Sequence, residues 1–201
     1  MNRTNRQMIR TLVGTAILAA VVIVLQLVAS GIKIGPFTIT LSLVPIIIGA
    51  IVFGPLSGAV LGGAFGIVVC ISVVTGADTG GFLMFQQLPV LTLVLCMLKS
   101  TAAGAVSGWL WMLLKNRTRP IITVLVSAVA CAVCNTGILC IGMLAFYNSL
   151  ITGWAIAGGF ANALSYVILG MLGINFLVEL AINLVLTPVI LRVISAVSKR
   201  I

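Results

Sequence analysis

The chain has 201 residues, 62% of them hydrophobic and only 6% charged, with a mean hydropathy of +1.35. A soluble domain carries charge on about a quarter of its residues, so a soluble enzyme is excluded and one transmembrane domain over residues 1–201 is expected. The net charge of +9 does not point to nucleic acid, because the basic residues form short flanks of apolar segments and no aromatic-interleaved basic patch accompanies them.

The N-terminus is basic and then apolar, as in a signal peptide, but the apolar stretch from Thr11 to Ala29 outruns an h-region of about 7–15 residues. It reads as a retained first helix, residues 8–30. Gly31 to Thr40 (GIKIGPFTIT) is a polar loop marked by glycine and proline, followed by a second apolar run at 41–53. Gly54-Pro55 breaks that run with a tight turn. The third run, 56–74, carries Gly58-x-x-x-Gly62 and Gly62-x-x-x-Gly66, spacings that let helix backbones approach closely.

Gly76 to Gln87 reads as a loop containing Asp78, one of only two acids. The apolar stretch from Leu88 to Leu114 is longer than one crossing needs, which suggests an interfacial start and a fourth span at 96–114. A basic turn from Lys115 to Pro120 leads to a fifth span at 121–146. Tyr147 to Gly159 reads as an uncharged loop, and a last helix is expected over 164–195. The expected fold is therefore an all-α bundle of six transmembrane helices with both termini cytoplasmic. That orientation leaves only Lys33 and Lys99 of the eleven basic residues on the outside, in keeping with the positive-inside rule.

Catalytic groups are scarce: the chain has no histidine and two carboxylates, Asp78 and Glu179. Neither a paired-carboxylate site nor a Ser-His-Asp arrangement can be assembled. No GxxxxGK[ST] phosphate loop occurs, so the chain is not itself an ATPase. Cys131 and Cys134 form a lone CxxC without a second pair or a histidine, which is short of a zinc set. No cofactor and no metal site are expected.

Selective binding or conduction remains, and polar residues inside the bilayer are the candidates because their desolvation is costly. Lys99 suits an anionic ligand, or snorkels to the headgroups, or pairs with Glu179. Glu179 orients a ligand hydroxyl or amide, or serves as a counter-ion. Asn135 bonds a ligand or joins neighbouring helices. Asn175 and Glu179 are four apart and share a helix face, which Asn183 extends. Trp109 and Trp111 suit interfacial anchoring, while Tyr147 and Trp154 suit either covering a ligand or anchoring at the interface.

Three stretches resemble the substrate-binding S components of energy-coupling factor (ECF) vitamin transporters. These are GPFTITLSLVPIIIGAIVFGPLSGAVLGGAFG (Gly35 to Gly66), CNTGILCIGMLAFY (Cys134 to Tyr147) and NFLVELAINLVLTP (Asn175 to Pro188), together with Ala16-x-x-x-Ala20 in the first helix. The resemblance implies a subunit of the prokaryotic plasma membrane that captures a water-soluble vitamin from outside. It implies docking on a transmembrane coupling protein and two cytoplasmic ATPase subunits, with Ala16 and Ala20 on the surface that meets the coupling protein. The implied pocket lies between the fourth, fifth and sixth helices under the two outer loops, which places Lys99, Asn135, Asn175 and Glu179 in it. Pantothenate is favoured as cargo, with folate and riboflavin next. The competing reading is a self-sufficient small-solute permease or channel, a class that often carries inverted repeats; no clear repeat is visible here.

Overall fold

The computed structural model describes the backbone of residues 3–29, 33–34, 37–38 and 40–198, and the side chains of 5–29, 40–170 and 176–192. Helix α1 (Arg3–Ala29) leads to a two-residue antiparallel ribbon, β1 (Lys33–Ile34) against β2 (Phe37–Thr38), with Lys33 opposite Thr38. Helices α2 (Leu43–Phe53) and α3 (Pro55–Val74) follow. Between them Gly54 takes a φ of 98°, a conformation that favours glycine, and Pro55 starts α3 where its missing N–H costs nothing. Helix α4 (Thr79–Gln87) is short, and α5 (Pro89–Leu114) and α6 (Pro120–Phe146) are long. After α7 (Asn148–Ala157) comes a single helical turn, α8 (Ala163–Ser165), held by reciprocal capping between Asn162 and Ser165. A π-helical stretch (Tyr166–Phe176) then runs into α9 (Leu177–Ser198), which contains Pro188.

The bundle is all-α apart from the small ribbon, but among the described residues four helices, not six, are long and apolar enough to cross a membrane: Asn5–Ala29, Pro55–Val74, Pro89–Leu114 and Pro120–Phe146. The expectation of six spans fails at two places. Helix α2 has 11 residues, and at 1.5 Å per residue it reaches only about half of a hydrocarbon core of roughly 30 Å. The last apolar run is not one uniform helix. It begins as a single capped turn, winds with i→i+5 bonding through Phe176, and becomes α-helical at Leu177.

Three further boundaries differ from the sequence reading. Helix α5 is continuous from Pro89, with no separate interfacial segment, because proline at its first position begins the helix there. The expected loop at 76–87 contains α4, whose N-terminus is capped by Asp78 accepting from the Gly81 N–H at 2.8 Å. The expected loop at 147–159 contains α7.

Helices α3 and α5 approach each other backbone to backbone. A Cβ on Gly58 would overlap the Gly104 carbonyl, one on Gly62 would overlap the Ser100 carbonyl, and one on Gly66 would sit 3.3 Å from Met97 Cα. The two small-xxx-small spacings of α3 are thus spent on internal packing. Helix α1 is fastened more lightly. Thr15 donates to Ser57 at 3.1 Å, and Ser42 donates to Gln26 at 3.1 Å. The opposite side of α1 exposes Leu12, Ile17, Val24 and Val28.

Two hydrophobic clusters result. One joins α1, α2, α3, α5, α6 and α9 around Ile46, Ile47, Leu61 and Phe65. The other gathers Met84, Leu95, Met143, Tyr147 and Ile151 from α4 to α7, with Ala163 and Val167 beyond. The candidate site lies where the clusters meet.

Candidate functional site

A cleft opens among α3, α4, α5 and α6, lined by Val69, Val73, Asp78, Gly81, Met84, Thr92, Cys96, Lys99 and Leu139. It spans about 300 Å3 including its mouth, yet its interior holds little more than one water, which needs two to four polar partners to settle. Gly81 makes the roof possible: a Cβ there would press to 2.5 Å from Val73 Cγ2.

Lys99 projects into this cleft and is only 8% exposed. Its ammonium stands 5.9 Å from the centre of the Phe65 ring, at the outer limit of a cation–π contact. Among the described residues no ion pair joins Lys99 to Glu179, although Lys99 is near enough to act on that carboxylate electrostatically. The alternative in which the two charges simply neutralise each other in contact is therefore not the arrangement found.

Glu179 is buried at the start of α9. Thr136 donates to its Oε2 at 3.3 Å, and the side chains of Thr40 and Asn135 lie close enough to act on the carboxylate. Asn135 is 2% exposed, and among the described residues its Oδ1 has no partner. A buried amide with an unmet acceptor is costly unless something else supplies a donor. Asn183, one turn along α9 and 1% exposed, likewise leaves Nδ2 unmet.

Of the residues singled out in the sequence, Lys99, Asn135 and Glu179 come together around α5, α6 and α9. The Asn175 side chain lies outside the described residues. Its backbone belongs to the π-helical stretch, so the four-residue spacing to Glu179 no longer guarantees the shared face that α winding would give. Ala16 and Ala20 are exposed on α1. Tyr147, which suits a ligand cover or an interfacial anchor, is fully buried, as an anchor would not be. Its hydroxyl lies 2.8 Å from Thr92 Oγ1 and donates to the Leu88 carbonyl at 3.3 Å, fixing the start of α5 beside the cleft.

Sequence reasoning did not single out Thr40, Thr136, Asp78, Thr92 or Cys96 as site residues. Asp78 was detectable by rarity, as one of two acids, and Thr136 by its place next to Asn135. Thr40, Thr92 and Cys96 carry no local signal, since threonine and cysteine sit easily in apolar helices. Among the described residues no three histidine, cysteine, aspartate or glutamate side chains gather where a metal ion would be held.

Neither a curated protein nor a solved structure matches the chain. The family described as ECF transporter, substrate-specific component, matches residues 10–191. This covers nearly the whole multi-pass bundle, including every element that builds the cleft and the Glu179 cluster. Substrate-specific components carry no ATPase activity of their own, so the work of this subunit is binding a small molecule. The chain belongs to the substrate-specific components of ECF transporters.

Proposed function

We propose that the chain captures a water-soluble vitamin at the outer face of a prokaryotic plasma membrane and delivers it as part of an ATP-driven importer. One buried cation and one buried acceptor cluster, separate from each other, are the observation that carries this reading. Lys99 takes a ligand carboxylate. Glu179 and the unmet Asn135 Oδ1 take N–H and O–H donors from the other end of the ligand, with Asn175 contributing from the segment ahead of α9. Pantothenate has one carboxylate, an amide and two hydroxyls, which is why we favour it over folate and riboflavin.

The cleft is at the lower end of the size range of small-molecule sites, so binding widens it. The partners are a transmembrane coupling protein and two ATPase subunits, and Ala16 and Ala20 on the open side of α1 meet the coupling protein. Their short side chains leave the helix backbone approachable, as close helix contact inside a membrane requires.

Thermal unfolding of the detergent-solubilised chain against a panel of vitamins tests the cargo. Ligand at a hundred times its dissociation constant stabilises the fold by about 2.7 kcal/mol, and pantothenate is expected to give the largest rise in Tm. A rise with folate or riboflavin alone would replace the cargo assignment. No rise with any vitamin, in a chain shown to be folded, would remove vitamins as the ligand class.

A further inference from the structure

The backbone contact between α3 and α5 continues past its glycines to a pair of thiols. One turn beyond Gly66 the facing residue on α3 is Cys70, whose Sγ lies 3.8 Å from the Leu93 carbonyl oxygen on α5. Cys96 stands nearly one turn from Leu93 on the same helix, close enough for its thiol and that of Cys70 to act on each other electrostatically. Both cysteines are free. Cys70 is half-buried, whereas Cys96 is buried and forms part of the cleft wall beside Lys99.

A disulfide needs Cα atoms about 4.4–6.8 Å apart and Cβ vectors that converge. Most helix pairs stand 8–10 Å apart between axes, too far for many positions to qualify. Here the glycine contacts draw the two backbones together, and Cys70 Sγ already reaches to 3.8 Å from the α5 backbone, one turn from Cys96. We propose that Cys70 and Cys96 form a redox pair that hydrogen peroxide closes into a disulfide across the α3–α5 wall of the cleft.

Peroxide suits the site because it is neutral and small, as an oxidant that reaches a half-buried thiol on an apolar helix has to be. The sulfur of Cys70, the more exposed of the two, attacks the O–O bond. That bond breaks, hydroxide leaves and takes the thiol proton as water, and Cys70 becomes a sulfenic acid. The sulfur of Cys96 then attacks the Cys70 sulfur. An S–S bond forms, the S–O bond breaks, and the second oxygen leaves as water with the Cys96 proton. Both sulfurs are oxidised and one peroxide is reduced to two waters. Reduction by a dithiol reverses the change.

The test uses the full chain with Cys131→Ala, Cys134→Ala and Cys140→Ala, exposed in detergent to stoichiometric hydrogen peroxide, then denatured and labelled with a maleimide. Labels per chain are expected to fall from two to none, with the mass lower by two hydrogens and both labels restored by a dithiol. Peptide mapping of the unsubstituted chain should find the Cys70–Cys96 link even if the triple substitution unfolds. Added oxygen on either sulfur without loss of hydrogen, or two labels retained after oxidation, would overturn the pairing. None of these readouts involves a vitamin, so the result stands apart from the assignment of cargo.

Discussion

Replacing Glu179 by glutamine lowers vitamin affinity by about 10- to 100-fold and leaves the fold standing. Hydrogen bonds that involve a charged group contribute about 1.5–3 kcal/mol, and each 1.4 kcal/mol is about tenfold in affinity. Glutamine keeps the volume of the side chain but offers one acceptor oxygen where the carboxylate offers two. Thr136 already draws on one of those oxygens, with Thr40 and Asn135 close by, so the ligand loses its share first. Stability is expected to hold, because removing a buried charge also removes its desolvation cost.

Lys99→Met is expected to cost a similar factor by a different route, keeping the apolar stem beside Phe65 while deleting the ammonium that receives a carboxylate. The two charges make no ion pair, yet Lys99 acts on Glu179 electrostatically, so the losses should add in the double variant with only a small shortfall. Titration calorimetry with pantothenate, alongside thermal unfolding of the unliganded variants, reads both quantities. Wild-type affinity in either variant would take that residue out of the pocket. Strong non-additivity would mean that the two charges serve each other rather than opposite ends of a ligand.

Adjacent glycines on α3 should behave in opposite ways. Gly62→Ala drives a methyl into the Ser100 carbonyl, with Thr101 Cα only 3.0 Å away. The obstacle is backbone, which cannot rotate aside, so α3 and α5 must separate along their whole contact. Overpacking of this kind costs typically about 1–3 kcal/mol and occasionally more, and two neighbouring contacts at Gly58 and Gly66 are disturbed with it. Gly63→Ala meets only Thr101 Oγ1 at 3.8 Å, an ordinary contact, and should be neutral or slightly stabilising because alanine favours helix more than glycine does. Chemical denaturation in mixed micelles distinguishes them. Equal stability of the two variants would mean that the α3–α5 contact is looser than described.

Much of this molecule is legible in its sequence, for reasons that can be named. Absence of a charged surface dictates the membrane, and the glycine spacings of α3 dictate a close helix partner. The rarity of charge inside apolar runs points at Lys99 and Glu179, and both are buried. What the sequence hides is length and winding. Leu41 to Phe53 looks like a span because it is apolar, yet Gly54-Pro55 cuts it to half a membrane. The final run looks continuous because hydropathy carries no information about whether a helix winds with i→i+4 or i→i+5 bonds. The place of Tyr147 is open in the sequence because an aromatic residue near a helix end suits an interface or the cover of a site equally well. Only the tertiary contact with Thr92 and Leu88 distinguishes a buried latch from an anchor. Thr40 is brought to Glu179 by the fold alone, across most of the chain.

Uptake of labelled vitamin into proteoliposomes tests the central claim most directly. The chain is compared alone and together with a coupling protein and its two ATPases, each with and without ATP inside the compartment that the ATPases face. Accumulation only with the complete module and ATP is the predicted result, with the chain alone binding vitamin but moving none. Sustained uptake by the chain alone, independent of ATP, would contradict the account and make this protein a permease.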